Sequence, residues 1–430
     1  MNFFFLNIVS VGFLRAIAAL SGLSLFWLIT IHLTQKDAGQ AFFYITAVTI
    51  FAGLSTMGYQ TTLLRFLGFL SGEGEQKKIN YFLSLAIKKT LICGLCLNFF
   101  ILILFELFSA DIAFQITFFQ RLFYFITTLF MALILLYVSA LQGLGKSKIA
   151  AVFQALTINV LTILILLVFA SFDIKINLNL VLSIYLISIL LTCFFSYKVW
   201  TKFNDKGIEE KVKAYEFNQS AKKVWVSMIM TVSIQWFSFF YSGFYLNSES
   251  LALFSVSQKI AVSISFILTA INFVVAPKFA QWFSRNDFQN LRLEIQRSNL
   301  LIWLIASPLA IGVLIFSNQL MSFFGQSYVQ GSDVLIILAF GQFINAITGS
   351  VAYILNMTGN ESDIRNIIIF CGFTAITMSL ILVPLYGIIG AAFSCAIPMV
   401  LQNLLAVLIA NKRLGFNVMK IFNFSHNVKE

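Results

Sequence analysis

Two cations, Arg15 and Lys259, stand inside long apolar runs of this chain, and a positive charge in that setting offers one chemistry above others, the holding of an anion. Lys259 lies about eight residues inside the run 251–276, where an isolated charge in hydrocarbon costs several kcal/mol, so it faces protein or water. Two readings of it stay open: it binds a negatively charged ligand, or its long stem reaches the outer face. Arg15 is equally open, because a first helix starting later than residue 8 makes it an ordinary inner-face cation. Polar side chains gather around Lys259 in sequence. In 224–246, Ser227, Thr231, Gln235, Ser238 and Ser242 recur at spacings of 4, 4, 3 and 4, on one face of a helix. In the next run Ser255, Gln258, Lys259, Ser265, Thr269 and Asn272 fall within about 140° of one another at 100° per residue. Such stripes either line a wet path or bond packed helices together. Trp236 and Tyr241 could stack on sugar rings, but among 49 Phe and 13 Tyr an aromatic beside a polar stripe is expected by chance.

Other chemistry has little support. The two histidines, His32 and His426, sit at a helix end and in the tail, in no metal-binding or nucleophile constellation. Cys93 and Cys96 form a CxxC in an apolar run without a His or acid beside them, and the five cysteines read as buried small side chains. No metal and no cofactor is expected. None of the 17 acids falls at the middle of a run; Glu106 and Asp333 lie at outer ends.

The elements that position these residues follow from composition. Of 430 residues, 60% are hydrophobic and 10% charged, which excludes a water-soluble globule of this size. At roughly 20 to 25 residues per span this predicts ten to thirteen transmembrane helices and little else. The unbroken apolar blocks exclude a β-barrel. The fold class is all-α integral membrane, with twelve helices predicted at 8–33, 41–66, 80–107, 114–141, 149–170, 178–200, 224–246, 251–276, 299–324, 333–357, 364–384 and 388–411.

The net charge of +11 is a matter of topology rather than a nucleic-acid footprint. With the N-terminus inside, only Lys36, Arg121 and Lys175 fall on the outer face and Arg15 and Lys259 within spans, leaving 23 of the 28 Lys and Arg on the inner side. Both termini are expected in the cytoplasm. The first helix lacks an N-terminal cation before Arg15 and is too long for a signal-peptide core, so it is expected to remain in the mature protein. External loops are short, which leaves no room for the catalytic loop of a membrane polymerase. Sliding the chain by about 213 residues sets Asp37 near Glu249, Arg65 on Lys278, and Leu141-Gln142-Gly143-Leu144-Gly145 on Leu355-Asn356-Met357-Thr358-Gly359. This predicts two related six-helix lobes, 1–200 and 224–430, joined by a charged cytoplasmic linker at 201–223, in the parallel-repeat layout of a two-lobed transporter.

Several segments carry a resemblance. Phe51-Ala52-Gly53-Leu54-Ser55-Thr56-Met57-Gly58 with Thr61, Thr62 and Arg65 resembles the second-helix signature of bacterial polysaccharide flippases of the Wzx type. So do Leu253-Phe254-Ser255-Val256-Ser257-Gln258-Lys259-Ile260 and Ala276-Pro277-Lys278-Phe279-Ala280. Gly341-Gln342-Phe343-Ile344-Asn345, Leu355-Asn356-Met357-Thr358-Gly359-Asn360-Glu361 and Pro384-Leu385-Tyr386-Gly387-Ile388-Ile389-Gly390-Ala391-Ala392 complete the match. The resemblance implies the multidrug/oligosaccharidyl-lipid/polysaccharide (MOP) exporter fold, two lobes around a central cavity open alternately to either side. In related lipid II flippases the position of Lys259 resembles an arginine of the cluster that binds a diphosphate, and Arg15 resembles another member. The lysine keeps the charge and loses the bidentate geometry. Arg65 and Lys278, at inner helix ends, are either topology determinants or guides for a lipid headgroup.

The resemblance implies a non-enzymatic flippase that moves an undecaprenyl-diphosphate-linked oligosaccharide, an O-antigen or capsule repeat unit, across the bacterial inner membrane. Its partners would be that polyprenyl-diphosphate-linked glycan, membrane lipids, and polymerase and chain-length proteins of the same pathway. The alternatives are a cation-coupled multidrug exporter of the same superfamily, disfavoured by the missing intramembrane acids, and a membrane polymerase or scaffold of the glycan pathway.

Overall fold

In the computed structural model, residues 2–73, 76–107, 117–203 and 214–419 are described, and every regular element among them is helical. The first half comprises α1 (Asn2–His32), α2 (Gln35–Ser55), α3 (Tyr59–Glu73), α4 (Gln76–Leu107), α5 (Phe118–Gly143), α6 (Ser147–Ala151), α7 (Thr157–Ser171) and α8 (Leu178–Phe203). The second comprises α9 (Tyr215–Val232), α10 (Ser238–Tyr245), α11 (Ser248–Val262), α12 (Phe266–Ser284), α13 (Phe288–Ile315), α14 (Ser317–Ser322), α15 (Ser332–Ile347), α16 (Val351–Met357) and α17 (Glu361–Leu414). Among the described residues, eight helices are long and apolar enough to cross a membrane, and the bent pair Ser147–Gln154 and Thr157–Ser171 makes nine. The protein is therefore a multi-pass membrane protein. That number stays below the twelve expected because α17 holds two apolar runs joined at Gly387, where φ 58 and ψ −133 leave the helical region. A 3-10 turn at Ser263–Ser265 also divides the run from α11 to α12.

Several expected single helices are broken, for reasons local to their residues. The run 41–66 starts earlier, at Gln35, because the Thr34 hydroxyl caps the helix by accepting from Asp37 N at 3.2 Å. It ends at Ser55. Met57 and Gly58 then take φ 49 and 78, and α3 starts afresh at Tyr59. A Cβ on Gly58 would stand 2.3 Å from Ala221 O and 2.9 Å from Trp225 N, so only glycine lets the α9 backbone come this close. Trp225 Nε1 then donates to Leu54 O at 3.0 Å, satisfying one of the orphan carbonyls at the end of α2. The run 333–357 breaks likewise at Gly349, φ 74.

Helix extends further into the expected loops than their charge suggested. α9 begins at Tyr215, because Phe217 and Ala221 give it a buried side, and α12 and α13 are separated only by the short turn before Phe288. Asp287 caps α13, accepting from Asn290 N at 3.0 Å and from Asn290 Nδ2 at 2.7 Å, and these bonds hold its carboxyl below the usual carboxylate range.

The internal repeat reappears in the element boundaries. Adding 213 to His32, the end of α1, gives 245, the end of α10; adding it to Gln35 gives 248, the start of α11. The starts of α4, α5 and α6 (Gln76, Phe118, Ser147) map in the same way to within one residue of Phe288, Ser332 and Glu361.

The chain forms two compact units, one of residues 1–232 and 239–255, the other of 233–238 and 256–430. In the first, aromatic rings fill the interior: Phe26 stacks on Phe42 at 4.1 Å, Tyr44 meets Phe123 edge-on, and Phe43 lies against Phe239 and Phe240. Tyr44 donates to Gln120 Oε1 at 3.2 Å, and Gln120 forms a capping box with Thr117 at the head of α5. In the second, Phe279, Leu291, Ile295, Ile354, Leu355, Cys371 and Ala410 form one core, into which Val418 folds back after α17 has ended at Gly415.

Candidate functional site

Lys259 sits in the last turn of α11, four residues before the 3-10 turn that bends the run. Its residue surface is largely covered, and its neighbour Gln258 is 3% exposed. An ammonium so placed within an apolar helix is held by protein or by a polar ligand, since bare hydrocarbon does not tolerate it.

The second unit gathers polar groups around that part of α11. Between α9 and α10 the backbone widens into a π-helical turn, Ser233–Phe237, which frees a carbonyl from the regular helical ladder. The carbonyl of Gln235 accepts from the Cys395 thiol at 3.5 Å, and Cys395 also meets the Gln258 side chain. Three residues on, Ser238 Oγ donates to Ala391 O at 3.0 Å. These bonds tie the π-helical turn to the second limb of α17. Of the expected stripe, Ser238 thus serves helix packing, and Thr231 Oγ1 donates to Ser227 O within its own helix at 2.8 Å. The Gln235 side chain is exposed, and Ser242 is buried in the first unit.

The second stripe divides in the same manner. Thr269 is exposed and its hydroxyl leans on Ser265 O at 3.4 Å. Asn272 is 5% exposed, and its Oδ1 has no hydrogen-bond donor among the described residues. Ser255 Oγ, buried in the first unit, is in the same condition. Buried polar atoms left so in hydrocarbon cost free energy, and a water or polar ligand is what relieves them.

Of the other cations, Lys278 on α12 forms an ion pair with Glu294 on α13, so its charge is largely compensated within the second unit. Arg65 is exposed on α3, beyond the Met57-Gly58 turn. The side chain of Arg15 lies outside the described residues.

One polar cluster escaped sequence reasoning. Asn403 Nδ2 donates to Asn345 Oδ1 at 3.1 Å and to Met399 O at 2.9 Å, and Asn345 Nδ2 reaches Gln342 Oε1 at 3.4 Å. This amide chain joins α15 to α17 within the second unit. Gln342 and Asn345 stood in a quoted motif; the missed signal was the amide Asn403 inside the apolar run 388–411.

These broken helices, with a mid-helix cation and amides in a membrane-spanning bundle, have the fold of the MOP superfamily. The chain superposes on the lipid II flippase MurJ in its inward closed conformation with a TM-score of 0.71, at 16% identity, over 93% of this chain and 87% of that one. On an inward-facing multidrug resistance MATE family transporter of the MOP superfamily the TM-score is 0.70, at 12% identity, over 93% and 94%.

Residues 224–383 match the model of the MatE family. Among curated relatives, the Haloferax volcanii protein named "Probable low-salt glycan biosynthesis flippase Agl15" is 26% identical over 193 residues, 44% of this chain and 40% of the relative. A Shigella flexneri protein named "Putative O-antigen transporter" is 26% identical over 184 residues, 42% and 43%. The match thus spans about two fifths of the length of these relatives. The expected fold class and the resemblance to glycan flippases of this superfamily agree with these likenesses.

Proposed function

We propose that the protein is a flippase that carries an undecaprenyl-diphosphate-linked oligosaccharide, an O-antigen or capsule repeat unit, from the cytoplasmic to the outer leaflet of a bacterial inner membrane by alternating access. The observation that carries this reading is Lys259, a cation deep in an apolar helix of a fold shared by lipid-linked-substrate flippases and drug exporters. Lys259 pairs with the diphosphate, and the amides and hydroxyls near it suit sugar hydroxyls, which both donate and accept. Arg15, Arg65 and Lys278 draw the headgroup in from the cytoplasmic side, with Lys278 exchanging Glu294 for phosphate.

The membrane potential assists. Moving net negative charge out of a negative cytoplasm is favourable by about 2.3 kcal/mol per charge per 100 mV, and the protein's own charges return in each cycle. Both termini lie in the cytoplasm, and polymerase and chain-length proteins of the same pathway take the product over. Deletion of the gene tests the reading. Loss of surface glycan, with lipid-linked repeat units accumulating inside and drug sensitivity unchanged, is the expected outcome. Intact surface glycan with altered drug sensitivity would make the protein a drug exporter, and shortened chains with intact translocation would make it a polymerase component.

A further inference from the structure

Four lysines of the first unit cluster where no substrate has been placed. Lys146 follows the turn that ends α5, Lys148 lies in the first turn of α6, and Lys198 and Lys202 occupy successive turns at the end of α8; all four are exposed. α5 and α8 are packed together, with the Tyr137 and Tyr197 rings 5.9 Å apart. The turn brings Lys146 to the end of α8, beside Lys202: Gly145, φ 75, lets Lys146 N donate to Leu141 O at 2.9 Å, and Lys146 Nζ then lies 4.8 Å from the centre of the Phe203 ring. Lys198 Nζ lies 5.6 Å from the Phe194 ring.

Three other cations among the described residues meet carboxylates: Arg121 with Glu106, Lys278 with Glu294, Arg413 with Asp363. None of these four lysines has such a partner among the described residues. A ring face orients an ammonium without neutralising it, so the positive charge stays available to a ligand. Beside the lysines Phe194, Phe195, Tyr197 and Phe203 expose their rings, the composition of a membrane interface belt. Insertion topology accounts for lysines at this end of the bundle, but it does not require a ring under two of them.

We propose that the turn after α5 and the end of α8 form a binding site for the headgroup of an anionic phospholipid of the surrounding bilayer. The phosphodiester meets the four ammonium groups, and the exposed rings pack against the upper acyl chains. The site depends only on the protein's being in a membrane, so it stands or falls separately from the flippase reading.

Native mass spectrometry of the purified protein in micelles doped with phosphatidylglycerol or with phosphatidylcholine tests it. The wild type is expected to retain phosphatidylglycerol about tenfold more than phosphatidylcholine, the preference that one to two kcal/mol from a few surface cations supplies. The combined Lys146→Gln, Lys148→Gln, Lys198→Gln and Lys202→Gln variant should lose that preference. A control with equal charge removed from exposed positions, Lys88→Gln, Lys89→Gln, Lys222→Gln and Lys223→Gln, should keep it. Should the first variant not purify as a monodisperse species, Phe194→Leu with Phe203→Leu, which leaves every charge in place, carries the same expectation of a weakened preference. Equal retention of the two lipids by the wild type, or equal loss in both lysine variants, overturns the proposal. Complete displacement by millimolar inorganic phosphate overturns it in favour of a free-anion site.

Discussion

Gly58 offers a test in which the effect can be worked out beforehand. Alanine at this position meets two penalties. The left-handed backbone, φ 78, costs a residue with a Cβ about 1 kcal/mol or a little more. The new methyl would also stand 2.3 Å from Ala221 O and 2.9 Å from Trp225 N, backbone atoms that yield only if α9 moves away. Overpacking of this kind costs about 1–3 kcal/mol, and the shift breaks the Trp225 to Leu54 hydrogen bond, worth about 1 kcal/mol more. The sum is about 3–5 kcal/mol. Gly145 supplies the control: its φ is 75, but nothing lies within 4 Å of an added Cβ, so Gly145→Ala meets the backbone penalty alone. Unfolding entropy scaled to this chain length converts 1 kcal/mol to roughly 1 °C. Gly58→Ala should lower Tm by about 3–5 °C and Gly145→Ala by about 1 °C. With Cys93 and Cys96 replaced by Ser, since Cys96 is exposed and Cys93 half-buried rather than buried as expected, a thiol-reactive fluorophore reads the transition, because Cys193, Cys371 and Cys395 are buried until the protein unfolds. Equal shifts for the two variants would refute the claim that close approach of α9, rather than backbone conformation, makes glycine necessary at 58.

Three further outcomes are expected. Lys259→Ala should abolish surface glycan at near-normal protein abundance while Lys259→Arg retains substantial activity, since a diphosphate accepts either cation; a normal glycan ladder from Lys259→Ala would make the lysine structural. Asn299 Nδ2 donates to Val418 O at 2.7 Å, so Asn299→Ala should release the segment after α17 and speed tryptic cleavage beside Lys412 and Arg413 about fivefold to thirtyfold, the effect of about 1–2 kcal/mol on local opening. Arg413 donates to the Asp363 carboxylate at 2.7 Å and holds it below the usual carboxylate range; a depressed carboxyl stabilises the fold above its unfolded pKa and loses that contribution as pH falls through the folded one. The Tm difference between wild type and Asp363→Asn should therefore be flat from pH 8 to 5 and close at pH values below about 4.

The spans were readable because hydrocarbon imposes one long-range rule on every residue facing it, and a repeat of whole helices survives as a spacing, so His32 and Tyr245 end corresponding helices. The Met57-Gly58 turn was visible as part of a motif but not as a break, because the reason for it lies across the bundle at Ala221 and Trp225. Pairing was hidden for the same reason. Lys278 stood as a topology determinant or headgroup guide, and only the turn before Phe288, which sets Glu294 against it, shows its partner; Asn403 had no visible purpose without Asn345 beside it. Ser238 and Thr231 had the periodicity of a cavity lining, yet their hydroxyls bond to backbone carbonyls, which periodicity cannot distinguish.

Reconstituted transport tests the central claim most directly. Purified protein in liposomes, supplied with a short-chain polyprenyl-diphosphate-linked glycan, should move it from the inner to the outer leaflet, faster under an interior-negative potential. The combined change of Arg15, Arg65 and Lys278 to Gln should weaken capture, and Lys259→Ala should stop movement. Folded protein that leaves the glycan in place while extruding a cationic drug would contradict the account, and glycan transport indifferent to both the potential and Lys259 would remove its electrostatic basis.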